Sequence, residues 1–545
     1  MSTTKTTKIL PQIAFIGSGP GDPSLVTVRA AKLLRAADVI IIDQIAREEF
    51  VAEFAREGVE LVDAGHGETG QTLTTASRAK LVVRTAKAAA RTDGSQALVV
   101  RLMDGDPATF NGLAEESLAC HKAGLAFEVV PGVSAVTAVP SYAGMPLVGN
   151  GARTVHVFSA GDEKTDWSSA TANDATAVVL GTAESVPTGL AKLQEAGRDA
   201  DTPVALSTDG TTIRQATRVT TLGEVATALK GHPLTNPVVA VVGSVVGLRD
   251  QLSWWETKPL FGWNVLVPRT KEQSGTMTDR LASHGAASDV VPTISVEPPR
   301  TPQQMERAIK GLVTGRYEWI GFTSANAVRA VREKFVEFGL DARAFAGLKI
   351  AAVGGVTADS LREWGLEPDL VPSSEQSAKG LLEEWPPFDE VLDPINRVFL
   401  PRADIATDTL VAGLQDMGWE VDDVTAYRTV RAAPPAPEVR EAIKTGKFDA
   451  VCFTSSSTVR NLVGIAGKPH ATTVIACIGP ATAKTAEEHG LRVDVLASEP
   501  SADALVDALA DYGRGLALTA QEAGEPVRRP SERKASSRRK AKASR

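Results

Sequence analysis

The stretch IAFIGSGPGDPS, Ile13 to Ser24, sets a short apolar run against a turn with glycine at positions 17, 19 and 21, followed by Asp22 and Pro23. An apolar run closed by such a turn reads as a buried strand feeding a helix. Glycines let a backbone approach a ligand closely, Asp-Pro stiffens the turn, and Thr27 is placed to cap the next helix. Two phosphate cradles are excluded. The P-loop needs a Lys that is absent here, and the dinucleotide fingerprint needs Gly at position 22, where a carboxylate repels a pyrophosphate. The turn therefore suits a ligand without phosphate.

Outward from it, apolar strands alternate with amphipathic helices along almost the whole chain, predicting an α/β protein with largely parallel sheets. The strand candidates are IAFI, DVIII, ALVVRL, FEVV, TVHVF, TAVVL, PVAL and VVAVVG; TVRAAKLLRAA (Thr27–Ala37) and EVATALKG (Glu224–Gly231) are helix candidates. Two further turns follow strands: VVRLMDGDPATF (Val99–Phe110), with a second Gly-Asp-Pro, and VVPGVSAVTAVPSYAGMP (Val129–Pro146). Three such turns are expected to share a crevice at the carboxyl edge of one sheet. The Trp-rich LSWWETKPLFGWNVLVPRT marks a boundary near Gly262.

At 545 residues the chain holds several folding units, and its 43% hydrophobic and 23% charged fractions are ordinary for a soluble protein. Apolar runs such as VIII are far below the ~20 residues a membrane span needs. No membrane association is expected. The N-terminus lacks the apolar core of a signal peptide, and Cys120, Cys452 and Cys477 have neither metal nor disulfide-framework spacing, so the expected compartment is the cytoplasm. The seven histidines form no ligand motif, and no metal site is expected. A net charge of −8 hides a basic tail, Arg528 to Arg545, with nine Lys/Arg against one Glu; the body carries about −16. The tail reads as disordered. A nucleic-acid-binding regulator ranks last, because no DNA-reading motif accompanies the tail.

The second half contains an internal echo. YEWIGFTSANAV (Tyr317–Val328) and FDAVCFTSSSTV (Phe448–Val459), 131 residues apart, each end a strand in Phe-Thr-Ser before a helix, and IGPATA (Ile478–Ala483) is a third such turn. Amides and hydroxyls gathered there suit anions. Capping is the competing use of Thr323, Ser324, Thr454 and Ser455.

With these motifs in order, residues 13–262 resemble the tetrapyrrole methylases, closest to uroporphyrinogen-III C-methyltransferase. The motifs are IAFIGSGPGDPSLVTVRAAKLLRAADVIIID, RLMDGDPATF, VVPGVSAVTAVPSYAGMP, TPVALSTDGTTIRQ and VVAVVGSVVGLRDQLSWWE. The resemblance implies lobes of about 13–130 and 131–262, S-adenosylmethionine as methyl donor, and two methyl transfers to uroporphyrinogen III giving precorrin-2. It carries over Pro20, Gly105, Asp106, Ser134, Ala135, Ala205, Gly210 and Thr211 as cofactor-binding. Methylases of this kind commonly pair, so a homodimer through this half is an expectation. The chain departs from the family where FNGLAEE puts Gly112 at an expected Arg and where GMPLVGN puts Val148, Gly149 and Asn150 at expected Thr, His and Arg. Arg101 and Asp43 match the family, and the sequence leaves open whether they serve the substrate or the packing.

Residues 263–513 resemble uroporphyrinogen-III synthase through VLVPRT, GFTSANAV, AAVGGVTADSLREWGLEPDLVPSSEQSAKGLL, VFLPRADIATDTLVAGLQDMGWEVDDVTAYRTV, CFTSSSTVRNL and IGPATAKTAEEHGLRVDVLASEPSADALVDAL. The resemblance implies two α/β lobes, about 263–297 with 432–513 and 298–431, joined by two extended connections. It also implies cyclisation of hydroxymethylbilane, with its last ring inverted, to uroporphyrinogen III. Tyr427 is the expected proton donor. Thr323, Ser324, Asn326, Thr454, Ser455, Ser456, Gly479 and Thr482 are expected to bind substrate, with Arg269 and Arg402 as carboxylate partners. Residues 1–12 form an N-terminal extension and 514–545 a basic disordered tail on this reading. The leading expectation is a bifunctional tetrapyrrole biosynthesis enzyme. The alternative is a monofunctional synthase carrying a methylase-like module.

Overall fold

In the computed structural model, Ile13 to Ile16 lie in a strand, β1 (Gln12–Gly17), whose side chains from Ile13 onward are buried. The structure describes residues 9–43, 48–66, 71–91, 93, 95–231 and 233–533. It divides into two units: Met1–Trp263 with Leu281–Ala287, and Asn264–Arg280 with Ser288–Arg545. The division follows the Trp-rich boundary.

In the first unit β1 is joined by β2 (Val39–Ile42), β3 (Glu60–Asp63), β4 (Leu98–Met103) and β5 (Ala126–Val130) in the order β3-β2-β4-β1-β5, all parallel. The apolar runs of β1, β2 and β4, the last interrupted only by Arg101, follow from burial on both faces. Because β4, β1 and β5 are neighbours, the three glycine turns that follow them emerge side by side. Thr27 caps the helix Val28–Ala36, its Oγ1 accepting from the Ala30 amide at 3.2 Å.

The second sheet of this unit holds β6 (Thr154–Ser159), β7 (Ala175–Gly181), β8 (Pro203–Thr208), β9 (Ala216–Thr221) and β10 (Val238–Val242) in the order β6-β7-β10-β8-β9. Only β6 and β7 run parallel; β10 is antiparallel to β7 and β8, and β8 to β9. This corrects the expectation of largely parallel sheets for this lobe. The link from Thr208 to Ala216 is too short for a crossover helix, so β9 can only return antiparallel.

The second unit contains β11 (Asn264–Val267), β12 (Ala287–Val290), β13 (Ile294–Glu297), β14 (Trp319–Phe322), β15 (Lys349–Ala352), β16 (Arg397–Ala403), β17 (Glu420–Arg431), β18 (Ala450–Phe453), β19 (Val474–Cys477) and β20 (Val493–Leu496). They form two sheets, β12-β11-β18-β19-β20 and β13-β17-β16-β14-β15. The first half of β17 pairs parallel with β16, while its last four residues pair antiparallel with β13. These two strands are the extended connections between lobes. The expected lobe limit at 297 is corrected, because Ile294–Glu297 pair with Arg428–Arg431 inside the second sheet.

The expected end at 513 is also corrected. The helix Ala502–Glu522 runs through it, its buried face (Leu505, Val506, Leu509, Ala510) continuing a heptad-like stripe, and the chain then returns to bury Pro530. There the Ser531 amide donates to Asp449 Oδ1 at 2.9 Å while the Asn264 amide donates to Oδ2 at 2.8 Å. Residues 534–545 of the expected tail lie outside the described residues. Asp449 is 1% exposed, so replacing it with Ala strands two amides. The variant Asp449→Ala is expected to lose roughly 2 kcal/mol in urea unfolding, the scale of uncompensated buried donors; an unchanged midpoint contradicts the clasp.

Candidate functional site

In the first unit the three turns touch backbone to backbone. A Cβ on Gly17 would sit 2.3 Å from the Gly105 carbonyl oxygen, and one on Gly132 only 2.1 Å from the same atom. The Gly105 amide donates to the Gly19 carbonyl at 2.9 Å, and Gly105 itself has φ +60, which favours glycine. Asp106 locks the second turn to the third: Oδ2 accepts from the Gly132 amide at 2.9 Å and Oδ1 from the Ala108 amide at 2.8 Å. Ser134 caps the helix Ala135–Tyr142, whose first amide, at Ala135, lies 3.6 Å from where a Cβ on Gly105 would stand.

The other lobe closes on the first turn. The Asp22 amide donates to Thr211 Oγ1 at 3.0 Å, and a Cβ on Gly21 would come within 2.6 Å of the Gly210 carbonyl. Tyr142 Oη donates to Asp22 Oδ2 at 2.9 Å, and Asp22 Oδ1 accepts from the Ser24 amide and hydroxyl. Desolvation, with Asp22 as acceptor, raises the Tyr142 phenol well above its ordinary value. Pro20, Gly105, Asp106, Ser134, Ala135 and Gly210 are thus brought together. Two expected residues are not available to a ligand. Ala205 is fully buried inside β8, and Thr211 is fully buried with its hydroxyl committed to Asp22 and its amide to Gln215.

Arg101 is structural. It is fully buried, with Nε donating to Glu116 at 2.8 Å and Nη2 to Asp43 at 2.6 Å. Burial works against its charge, but the bonds and charges of Glu116 and Asp43 outweigh it and hold the guanidinium above its ordinary value. Gly112 sits at φ +76, and a Cβ there would lie 2.8 Å from Thr75 Cγ2 and 3.3 Å from Arg78 Nη2. Gly149 and Ala152 form a tight turn held to Ser244 by Asn150 Nδ2 at 2.7 Å. Val148 is exposed beside it.

In the second unit both FTS turns follow the expected course. Ser324 caps Ala325–Glu337 and Ser455 caps Ser456–Ala466, the latter in a capping box with Thr458. Capping is not all they do. Tyr427 is 7% exposed, and its hydroxyl meets Ser324 Oγ at 2.9 Å. With Asn326, Arg329, Val296, Pro298 and Met305 it lines a cavity of about 290 Å³. Asn326 Oδ1 accepts from Arg329 Nη2 at 2.5 Å. A register shift between Arg402 and Ala403 marks a bulge in the β16–β17 ladder that aligns Tyr427 with Ala403.

A second cavity of about 400 Å³ is lined by Arg269, Thr270, Thr293, Thr454, Ser455 and Thr458, among others. Among the described residues the Arg269 guanidinium meets no acid, and burial lowers its pKa from the ordinary value. Thr323 is half-buried at the end of β14, and Gly479 caps the helix Pro480–Glu488. Three expectations are corrected. Arg402 is 6% exposed and spent on Asp423, Asp408 and the Thr407 carbonyl. The Ser456 hydroxyl donates to the Ala481 carbonyl and accepts from Thr485, fastening two helices. Thr482 is buried at 4% exposure. Arg329 was missed, although its place one turn after the FTS cap was a readable signal.

Comparison with known proteins follows this division. A family model described as Tetrapyrrole (Corrin/Porphyrin) Methylases matches residues 12–226, and one described as Uroporphyrinogen-III synthase HemD matches residues 275–507. The chain is 29% identical to the porphyrin biosynthesis protein HemD of Ruminiclostridium josui over 92% of its own length and 98% of that protein's. It is 35% identical to the siroheme synthase of Azotobacter vinelandii over 46% of its length, and spans about half (53%) of that relative. The solved uroporphyrin-III-C-methyltransferase of Thermus thermophilus aligns with 45% of this chain and 97% of its own, at 27% identity and a TM-score of 0.37.

The glycine contact is directly testable. Gly132→Ala is expected to cost roughly 3 kcal/mol, because its Cβ meets backbone that cannot yield. Gly161→Ala, where nothing lies within 4 Å, is the neutral control. Equal unfolding midpoints for the two variants contradict the packing argument.

Proposed function

The chain joins a tetrapyrrole methylase domain to a uroporphyrinogen-III synthase domain, and on that premise we propose that it catalyses two consecutive steps of tetrapyrrole biosynthesis. The second unit cyclises hydroxymethylbilane to uroporphyrinogen III with its last ring inverted. The first then methylates that product twice, giving precorrin-2. The observation that carries this reading is the cavity around Arg269, a guanidinium without an acid partner among the described residues, walled by hydroxyls. A linear tetrapyrrole bears eight carboxylates, and a chain of net charge −8 must receive them by local donors rather than by its overall field.

In the synthase step Tyr427 donates its phenolic proton to the hydroxymethyl oxygen of the substrate. The C–O bond breaks with its electron pair leaving on water, and the positive charge spreads over the azafulvene so formed. Ser324 Oγ holds the phenol in place. Ring closure releases a proton that restores Tyr427. The enclosing cavity keeps water and unrotated closure away from the cation. Thr454, Ser455, Asn326 and Arg269 meet the carboxylates, and Thr323 and Gly479 stand at the same strand-end turns.

In the methylase step Pro20, Gly105, Asp106, Ser134, Ala135 and Gly210 hold S-adenosylmethionine. The glycine cradle fits a donor that lies against bare backbone, and Asp22 and Asp106 suit a cationic rather than a phosphorylated one. When bound, the donor supplies a methyl group from its sulfonium. The residues of the turns fix its approach to a pyrrole carbon, and positioning supplies much of the rate. Cytoplasmic location and pairing through the methylase half are part of the same proposal.

Two assays test it. Hydroxymethylbilane is expected to yield the type III isomer, with Tyr427→Phe lowering kcat by about 100-fold, the lower range for a lost general acid; type I product alone would falsify the synthase assignment. Labelled S-adenosylmethionine with uroporphyrinogen III is expected to deliver two labels per product. Donor binding without transfer instead leaves the first unit as a methylase-like module.

A further inference from the structure

We propose that Arg431, at the end of β17, is a carboxylate receptor for the synthase substrate, placed between the two cavities of the second unit. This rests on the synthase reading and adds a residue to it. The argument begins with the strand pair that joins the lobes. Thr293 and Ile294 line the Arg269 cavity, while Val296 and Glu297 line the Tyr427 cavity, so β13 runs from one to the other. Along β17, Tyr427, Thr429 and Arg431 alternate and share a face. In the antiparallel register Thr429 stands opposite Val296 and Arg431 opposite Ile294. Directly opposed side chains lie on one side of a sheet, so Arg431 belongs to the end of the ribbon that lines the Arg269 cavity. It lies about 13 Å along the strand from Tyr427 at ~3.3 Å per residue.

The guanidinium is held without being neutralised. A Cβ on Gly464 would stand 2.9 Å from Arg431 Nη1 and 3.1 Å from Cζ, so the side chain rests on bare helix backbone where any larger residue would displace it. That helix, Ser456–Ala466, is the one whose first turn supplies Ser457 and Thr458 to the Arg269 cavity. Among the described residues no carboxylate pairs with Arg431, in contrast to Arg402 and Arg428, whose charges are spent on Asp423 and Glu297. Arg431 is exposed, and its guanidinium lies against the backbone at Gly464. Among the described residues Arg269 and Arg431 both lack an acid partner, the first lining a cavity with Thr293 and Ile294 and the second paired across the ribbon with Ile294. A flexible, many-armed polycarboxylate spanning both cavities crosses this place.

Steady-state kinetics of Arg431→Ala and Arg431→Lys with hydroxymethylbilane test the proposal in the full chain. Arg431→Ala is expected to raise KM about tenfold with kcat little changed, the size of one charge-assisted hydrogen bond. Arg431→Lys should recover part of the loss. The KM of the unaltered protein should rise with ionic strength more steeply than that of Arg431→Ala, a readout that a merely structural role would not move. Gly464→Ala, which keeps the charge but displaces it, should raise KM in the same direction. Type III product from the unaltered protein keeps the synthase reading standing throughout. An Arg431→Ala protein with unaltered KM and unaltered salt response overturns the proposal and leaves that reading intact.

Discussion

The first unit depends on three strand-end turns meeting with nothing but backbone between them. Gly17 and Gly132 reach the Gly105 carbonyl only because neither carries a Cβ, Gly105 holds φ +60, and that approach is what sets the turns after β4, β1 and β5 around a common space. A parallel sheet supplies the alignment at no further cost, since neighbouring strands end at one edge. Asp106 and Thr211 then use their side chains to fix turn to turn and lobe to lobe. What is left for a ligand is mostly backbone and small side chains, a surface suited to a compact cation and ill suited to pyrophosphate.

The second unit solves a different problem with similar parts. Its ligand is expected to be large and highly charged, and the protein is itself acidic, so attraction must be local. Hydroxyls, strand-end turns and a few individually placed cations provide it around Arg269, whereas the Tyr427 cavity also carries Glu297, Glu333 and Glu337. Arg402 shows how easily a buried arginine is consumed by nearby carboxylates. Among the described residues Arg269 meets no carboxylate, and the elements lining its cavity present hydroxyls instead. Partial burial without a partner is costly for a guanidinium, and an anion bound beside it would offset that cost.

Central strands were legible because burial on both faces writes continuous apolar runs, as in IAFI, VIII and VVAVV. The edge strands divide: β5 and β6 were legible as FEVV and TVHVF, whereas β3 (Glu60–Asp63) and β9 (Ala216–Thr221) are short and partly polar and lack that signal. The turns were legible because glycine, proline and hydroxyl residues mark them locally. Whether a given side chain faces the cleft or its own neighbours is a tertiary fact. Thr211, Ser456 and Thr482 carry suitable chemistry at suitable turns, yet each is turned into the packing, and Ala205 lies inside β8. The alternation that puts Arg431 with Tyr427 was present in TAYRTVR, but its meaning required the pairing with β13 and the bare backbone of Gly464.

The departures in the first unit differ in physical consequence. Position 112 has φ +76 and a Thr75 methyl 2.8 Å from any added Cβ, so an arginine there is incompatible with the present backbone. Yet the place is not without a cation. Arg78, from the first turn of the helix Thr75–Ala88, brings Nη2 to 3.3 Å from the same point, while its Nε lies 3.4 Å from the buried Glu116 that also anchors Arg101. Glycine at 112 and arginine at 78 are therefore one arrangement: the missing side chain makes the room that the second guanidinium occupies. Positions 148 to 150 are arranged differently. Asn150 turns its amide to the Ser244 carbonyl, and Val148 presents only methyl groups to solvent. Position 150 thus presents no charge, whereas beside position 112 a guanidinium comes from the neighbouring helix at the carboxyl edge of the sheet.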